Sequence, residues 1–361
     1  MQAYSCDTDT RSQRDGRFRE LWTMTAVAIA IASLVPLACS RDVDRSQQRP
    51  PVRVRLKWLH QAQFAGFYAA QHEGYYRDAG VEVVLNPGGI DYPSIPLVEN
   101  GADDLGVTGA DQILKARADG KPIVAVAVIY RRTPFCLFTW KKSHLIRMAD
   151  LVGRPVGVKL GGNEEFTYRA MLASALANGE VAAKDVTMEQ RAPKLRTEVP
   201  VKYDLNPFLD SEVVAWPGYS INEPLLAKEK TGQDVTLITP EQYGIQIYAD
   251  VLFTTESYLH EHPDVVRAVA RATVKGWHFA LEPANRAKTV DYVLRFAMWS
   301  NPAHEDAMLM ASVPLVAPRD AAALGRMTPQ EWTALPDIML RYGFLDRQQD
   351  VGRCFSNASL D

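Results

Sequence analysis

The chain is poor in cysteine, with four in 361 residues, and only Cys136 and Cys354 lie beyond residue 40. Two cysteines are too few for a disulfide scaffold, although one disulfide bond between them is possible in an oxidising compartment. No cysteine pair has the spacing of metal ligands, and the histidines are scattered. His260 and His262 are two residues apart and would diverge on a helix. We therefore expect no metal site.

Catalytic motifs and a strong net charge are also lacking. No serine or cysteine lies in a recognisable nucleophile elbow, no glycine-rich phosphate loop is present, and the carboxylates form no convincing pair. The net charge of -3 gives no electrostatic reason to expect nucleic acid or an anionic membrane surface as a partner. We expect a protein that is not an enzyme, holds no cofactor and binds no nucleic acid.

The N-terminus differs from the rest of the chain. Four arginines between positions 11 and 19 precede an uncharged apolar run at 21–38, and Cys39 follows directly. A basic flank, an apolar core and small residues before a cleavage point predict a secretory signal over 1–39, with an uncleaved membrane anchor as the alternative. Cys39 resembles the lipidated cysteine of a bacterial lipoprotein. The polar stretch 40–51 then reads as a tether, and the protein is expected in the periplasm or on the outer face of the membrane, lipid-anchored or secreted.

Beyond the tether, strand-like apolar runs alternate with helical patterns, which predicts an α/β architecture with largely parallel sheets. The apolar run 123–129 is long enough for a strand buried on both faces. A strand at 156–158 ends in a glycine-rich loop and a helix, which repeats the order of strand, loop and helix found at 52–68. Two such units suggest two lobes that face each other across a cleft. From residue 265 onward the character is helical, with helices predicted at 265–281, 284–297 and 329–342.

Aromatic side chains cluster where the first strand ends. Trp58 and His60 lie at the strand end, and Phe64, Phe67 and Tyr68 recur at helical spacing just after it. In open α/β sheets, ligands bind where strand ends open onto helix N-termini. We therefore expect all five to contact a flat, partly polar small molecule. The alternative for the last three is that they form only the core face of an amphipathic helix.

The chain contains, in this order, the segments 58–76 with Val81, 103–112, 150–158, 222–224, 276–280, Trp332 and 342–345. Together they extend over nearly all of residues 52–346. In this order they resemble the solute-binding proteins of bacterial ABC importers that include the aliphatic-sulfonate and the thiamine-pyrimidine binders.

The resemblance implies a two-lobed periplasmic-binding-protein fold of type II, with two crossovers and a ligand cleft between the lobes. The lobe limits it implies are 52–132 plus 251–346 for lobe I and 133–250 for lobe II. Residues 347–361 lie beyond these limits, and their sequence predicts a loose tail. The resemblance also implies a monomer that delivers its ligand to an ABC permease in the membrane. A lipid anchor at the N-terminus would attach this monomer to the same membrane.

Within this family, the stretches 58–68 and 222–224 resemble the branch that handles thiamine pyrimidine precursors or riboflavin. A sulfonate- or nitrate-binding protein stays an alternative. A second alternative is a pyrimidine synthase of thiamine biosynthesis with the same fold, although the cysteine-rich iron-binding motif of that enzyme is missing here. A third is a sensory lobe that contacts a membrane kinase.

The second lobe supplies further candidates. Trp216 and Tyr219 would close the pocket over the ligand. Gly162 and Asn163 would offer backbone N–H groups to a polar or anionic group, unless they form only a turn.

Two acidic residues complete the predicted site. Glu223 begins a helix and would accept hydrogen bonds from an exocyclic amine or a ring N–H. Its alternative role is to complement the helix end, but in the resembled family an acidic residue in this motif pairs with the pyrimidine. Asp111 is a further candidate ligand contact, with a helix cap as the alternative.

Overall fold

The computed structural model describes residues 50–361 apart from 190–191, 299 and 318–322. The predicted export signal with Cys39, and nearly all of the predicted tether, lie outside the described residues. Within those ranges, no helix is both long enough and apolar enough to span a membrane.

Strands and helices alternate through most of the described chain. The strands are β1 Val52–Arg55, β2 Val83–Asn86, β3 Leu105–Thr108, β4 Ile123–Tyr130, β5 Phe135–Trp140, β6 Val156–Val158, β7 Val186–Glu189, β8 Ala192–Leu195, β9 Glu198–Pro200, β10 Trp216–Tyr219, β11 Val235–Ile238 and β12 Asp250–Thr255. The α-helices are α1 Ala65–His72, α2 Tyr75–Asp78, α3 Ser94–Glu99, α4 Ala110–Ala118, α5 Gly162–Ala177, α6 Asn206–Leu209, α7 Glu223–Thr231, α8 Glu256–Glu261, α9 Pro263–Leu281, α10 Arg286–Leu294, α11 Pro302–Val316 and α12 Pro329–Arg341.

A five-stranded sheet, in the order β2-β1-β3-β12-β4, forms the centre of the first lobe. β1 pairs in parallel with β2 and β3, whereas β12 is antiparallel to both β3 and β4. Every residue of β4 is buried, because its apolar run is covered on both faces of the sheet. The carboxyl ends of the parallel strands β1, β2 and β3 therefore lie at the same edge of the sheet, where they form part of one wall of a cleft.

The second lobe contains smaller sheets. β5 lies between β10 and β11 and is antiparallel to both. β6 and β9 form a parallel pair, and β7 and β8 form an antiparallel pair. The first-lobe sheet is therefore mixed, and in the second lobe two of the three described sheets are antiparallel, so the prediction of largely parallel sheets was wrong. Apolar runs report the burial of a strand, and they carry no information about the direction in which it runs.

The chain crosses between the two sheets twice, which gives the two-lobed fold its two crossovers. It leaves the first sheet after β4 and returns to it at β12. The two crossings lie side by side, since the backbone N–H of Ala249 donates to the carbonyl oxygen of Tyr130 at 2.9 Å. The lobe limits at 132/133 and 250/251 stay predictions.

Helices of the C-terminal third cover the first sheet. α9, the longest described helix, packs against α1 and β4, and α11 also contacts β4. The approach of α9 to α1 depends on glycine, because a Cβ added at Gly276 would lie 2.1 Å from the carbonyl oxygen of Gly66.

The last residues are packed rather than forming the loose tail that was expected. The backbone N–H of Ala125 donates to the carbonyl oxygen of Cys354, and the N–H of Ser356 donates back to Ala125, each at 2.9 Å. The ring of Phe355 stacks on Trp332 with a centroid distance of 5.5 Å. The C-terminus therefore adds a bridging contact to β4 and covers apolar surface.

Cys136 and Cys354 are both free and buried. Cys136 lies in a core cluster of the second lobe with Phe138 and Trp216. Cys354 packs in a different cluster, together with Trp332. The single bridge left open by the sequence is therefore not formed between them.

Candidate functional site

A cavity of about 480 Å³ lies between the two lobes, a volume within the range of small-molecule sites. Its first-lobe wall comes from the ends of three parallel strands, and its second-lobe wall comes from the loops after β6, β9 and β10. The first wall contains Lys57, Trp58, Gln61, Gln63, Gly89, Ile90, Pro93, Ser94, Ile95, Pro96, Thr108 and Gln112. The second contains Leu160, Gly161, Gly162, Asn163, Glu164, Tyr203, Tyr219, Asn222 and Glu223.

An aromatic pair spans the cleft. The rings of Trp58, which follows β1, and Tyr203, which follows β9, have a centroid distance of 4.7 Å and are tilted by 37°. Tyr203 is 45% exposed, so this pair presents apolar ring surface at the cavity. Burial, reinforced by the nearby Glu164 carboxylate, raises the pKa of Tyr203 to about 12, which keeps its hydroxyl protonated at neutral pH.

The second lobe holds a lysine between two carboxylates. Lys159 follows β6 and is only 4% exposed. Its Nζ lies 3.0 Å from Oε1 of Glu164 and 3.1 Å from Oε1 of Glu223, and 4.6 Å from the centre of the Tyr203 ring. Burial lowers the pKa of Lys159, but the two carboxylates outweigh it, and the net pKa is raised. The lysine therefore stays charged and neutralises part of this acidic wall.

The first lobe holds a second lysine, whose side chain is 14% exposed. Lys57 Nζ lies 3.3 Å from Oδ1 of Asp250 and donates to the carbonyl oxygen of Ala249 at 3.1 Å. Burial lowers the pKa of Lys57, but Tyr219 and Asp250 together raise it by more. Gln63 donates from Nε2 to Oδ2 of the same aspartate at 2.7 Å. Both the lysine and the aspartate therefore already have partners within the protein.

The helix start at Glu223 is fixed by neighbouring groups. The backbone N–H of Tyr219 donates to Oε2 of Glu223 at 2.8 Å, while Oε1 accepts from Lys159. The Tyr219 hydroxyl accepts from Nδ2 of Asn163 at 3.0 Å. Each carboxylate oxygen has a further lone pair, so Glu223 can still accept hydrogen bonds from a ligand.

The cavity wall contains five of the predicted site residues: Trp58, Gly162, Asn163, Tyr219 and Glu223. The other six do not line it, and their placement corrects the prediction. They are His60, Phe64, Phe67, Tyr68, Asp111 and Trp216.

Four of these six lie in the apolar core. Phe64, Phe67 and Tyr68 are at most 1% exposed, so the core-face interpretation of α1 is the right one. Trp216 is fully buried among Cys136 and Phe208.

The remaining two are used elsewhere. His60 packs against Phe296, and its Nδ1 lies 3.0 Å from the hydroxyl of Tyr68. Burial lowers the pKa of His60, which favours the neutral ring. Asp111 is buried in the first turn of α4 and accepts from Nε2 of Gln112 at 2.7 Å. Burial raises the pKa of Asp111.

Polar residues of the site were missed by the sequence analysis. Gln61 and Gln63 lie inside the aromatic motif, and only its ring side chains were predicted as ligand contacts. Lys159 directly follows β6 and Glu164 lies in the first turn of α5, and this position between a strand end and a helix start was the available signal. Tyr203 reaches the cavity from a loop, and no pattern in the sequence marks it.

Among the residues that the structure describes, no three His, Cys, Asp or Glu side chains are grouped so that they could hold a metal ion.

Curated proteins of similar sequence are named as binding proteins for heterocycles. The chain is 25% identical over 320 residues to the riboflavin-binding protein RibY of Chloroflexus aurantiacus, which covers 85% of each chain. It is 25% identical over 268 residues to the formylaminopyrimidine-binding protein of Halalkalibacterium halodurans, covering 73% of this chain and 77% of the relative.

Solved structures share the fold at lower identity. The alkanesulfonate-binding protein SsuA from Xanthomonas axonopodis pv. citri, bound to MOPS, superposes with a TM-score of 0.62 at 16% identity. The superposition covers 86% of this chain and 99% of that structure. The sequence pattern described as NMT1/THI5 like matches residues 61–287. Because this match spans well over half of the chain, the protein belongs to the NMT1/THI5-like family.

Proposed function

We propose that this protein is the solute-binding component of an ABC importer and that it holds a heterocycle of the thiamine-pyrimidine or riboflavin class between its lobes. The observation that carries the proposal is the interlobe cavity, in which an aromatic pair adjoins amide and carboxylate side chains. Such a combination suits a flat ring with N–H groups at its edge. The names of the two curated relatives support the same ligand class.

The cavity residues divide into two roles in this proposal. Trp58 and Tyr203 supply the stacking surface. Glu223 and Glu164 accept hydrogen bonds from ring N–H groups or an exocyclic amine. Asn163 positions Tyr219 through its side-chain amide. The backbone N–H groups of Gly162 and Asn163 donate to polar groups of the ligand. The protein binds and releases its ligand unchanged, so no catalytic step is part of the proposal.

The proposal extends to the location of the protein. The N-terminal signal exports the chain, Cys39 carries the lipid anchor, and the monomer meets its permease at the outer face of the membrane. The lobe limits 52–132 plus 251–346 and 133–250 belong to this proposal too. A Cys39→Ser variant should be released into the soluble extracytoplasmic fraction, and its retention in the membrane would contradict the lipid anchor.

Thermal unfolding with candidate ligands tests the binding function. Riboflavin, hydroxymethylpyrimidine, formylaminopyrimidine and taurine are compared. A ligand at a hundredfold excess over its Kd should stabilise the protein by about 2.7 kcal/mol, which raises Tm by several degrees. A shift with one of the heterocycles supports the proposal. A shift with taurine alone would move the protein to the sulfonate binders and contradict the proposed ligand class.

A substitution at the aromatic pair tests where the ligand lies. Trp58→Ala should weaken binding of the active heterocycle by at least about tenfold, because it removes stacking and apolar contact area. Tyr92→Ala is the control, since Tyr92 is 57% exposed and lies outside the cavity wall. Isothermal titration gives both affinities, and equal affinities for the two variants would place the ligand elsewhere.

A further inference from the structure

The charges of the cavity wall are unevenly distributed. Of the residues that line it, only Lys57, Glu164 and Glu223 are charged. Lys159 lies behind the two glutamates and is nearly fully buried. Asp250, also buried, is paired with Lys57. Two lysines thus face three carboxylates, so this group of side chains carries a net negative charge.

Both lysines already have carboxylate partners within the protein. The Nζ of Lys57 is used by Asp250 and a backbone carbonyl. The Nζ of Lys159 donates to Glu164 and Glu223. A phosphate or sulfonate group in the cavity would compete with these carboxylates for the charge of the same ammonium groups. Because both pairs are largely buried, displacing a carboxylate from either would leave an unpaired charge with little access to water.

The same wall favours hydrogen-bond donors. Glu164 and Glu223 both reach the cavity and keep unused lone pairs. Without Lys159 their two charges would face each other unbalanced. With the lysine in place the two carboxylates share one positive charge. The wall can then accept hydrogen bonds from the N–H groups of a neutral ligand, and a positive charge on the ligand is not needed to balance it.

We propose that the charges of Glu164, Glu223 and Lys159 together set the specificity of the cavity for a neutral heterocycle: the two carboxylates select against the phosphate ester of the same compound, and Lys159 keeps them from selecting a cation. This inference rests on the proposed function, since it concerns the same ligand class in the same cavity. It adds the charge of the ligand and the residues that set the selection. Burial raises the pKa of Glu164; Lys159 lowers it and Glu223 raises it, and the net pKa is raised.

Matched ligand pairs test the inference. Riboflavin is compared with riboflavin 5′-phosphate, and hydroxymethylpyrimidine with its phosphate ester, by isothermal titration of the wild-type protein. Each pair shares its ring and differs mainly in charge. The wild type should bind the neutral member at least about tenfold more tightly than its ester. Equal affinities would overturn the inference and leave the proposed function standing. Binding of neither neutral compound would overturn both.

Two substitutions should move this selectivity in opposite directions. Glu164→Gln keeps the shape of the side chain and removes one negative charge, so the preference for the neutral ligand should shrink by about tenfold. Lys159→Met removes the shared positive charge, so the phosphate ester should bind still more weakly and the cation thiamine should gain affinity. The controls are Glu212→Gln and Lys184→Met, which make the same charge changes at exposed positions of the second lobe.

The Glu164→Gln variant decides the question even if Lys159→Met does not fold. A folded Glu164→Gln protein, checked by its thermal transition, that keeps the wild-type ratio between neutral ligand and ester would overturn the role of this charge cluster. A change of equal size in Glu212→Gln would overturn it too, because the effect would then come from the overall charge of the protein.

Discussion

The aromatic residues after β1 show how a single motif divides between a cavity and a core. Trp58, at the strand end, reaches the cavity, whereas Phe64 and Phe67 are buried under α1. Helical spacing of aromatic side chains marks one face of a helix, and that face can point to a ligand or to the core. The sequence therefore predicts that these rings lie together, and only the fold determines what they contact.

A substitution at Phe64 separates these two roles. Phe64→Ala should lower the free energy of unfolding by about 3–5 kcal/mol, because it leaves a cavity in a packed core. The affinity of the folded fraction for the active heterocycle should change little, since Phe64 does not line the cavity. Urea unfolding measures the stability, and titration at low temperature measures the affinity. A large loss of affinity at near wild-type stability would restore Phe64 as a ligand contact.

Strand geometry explains why only one of two predicted aromatics in β10 reaches the site. Trp216 and Tyr219 are three residues apart, and side chains at an odd spacing point to opposite faces of a strand. Trp216 is accordingly buried, while Tyr219 lines the cavity. The opposite orientation of Trp216 and Tyr219 could therefore have been predicted from the sequence, by applying the alternation of side chains along a strand to these two positions.

At the scale of elements, most strands and long helices follow from the apolar pattern. β6 matches its predicted limits of 156–158, because short apolar runs bounded by turn residues are the clearest signal in an α/β chain. Helix α11 was not predicted. It contains Pro314 and its apolar residues do not follow one helical face, so periodicity gave no sign of it. The antiparallel direction of β12 depends on the second crossover, which local sequence does not encode.

Helix α12 ties the two crossovers together through one carboxylate. Arg131, in the first crossover, has its Nη2 3.1 Å from Oε2 of Glu331 in α12. Arg132 Nη1 lies 3.6 Å from the other carboxylate oxygen. Tyr248, in the second crossover, donates its hydroxyl hydrogen to the same glutamate. This group of side chains therefore restrains both connections between the lobes.

A substitution at Glu331 should loosen these connections. In Glu331→Gln, the two arginines lose their charged partner, and we expect a loss of about 1–3 kcal/mol in stability, since a hydrogen-bonded and partly buried charge is removed. The chain should also be cut faster by trypsin after Arg131 and Arg132, because these side chains are released. Limited proteolysis followed by mass spectrometry locates the cut.

The control for this experiment is Asp337→Asn in the same helix, where the carboxylate is exposed and accepts only from Gln348 among the described residues. Equal rates of cleavage at 131–132 in both variants would show that Glu331 does not restrain the crossover.

At the scale of the whole molecule, the two-lobed fold was predictable because the family resemblance extends along most of the chain. The packing of the C-terminus was not. Residues 351–360 contain little regular secondary structure. They are buried by contacts with β4 and α12, which are separate segments of the sequence. Segments without periodicity give no local signal of the surface they cover.

The two buried thiols report on each lobe separately. Cys136 lies in the core of the second lobe, and Cys354 lies at the packed C-terminus on the first. Burial raises the pKa of Cys136 well above its usual value and that of Cys354 to about 11, so both react slowly while they are buried. In a protein with Cys6 and Cys39 replaced by serine, thiol labelling therefore measures how often each region opens.

Ligand binding should protect both thiols equally. A ligand that contacts both lobes at a hundredfold excess over its Kd lowers the population of the unfolded protein by about a hundredfold. If both cysteines are exposed only by global unfolding, both labelling rates should fall by this factor, as measured by mass spectrometry over time. If the rate at Cys354 does not depend on ligand while that at Cys136 falls, the C-terminus opens on its own. That result would return residues 347–361 to the loose tail that the sequence predicted.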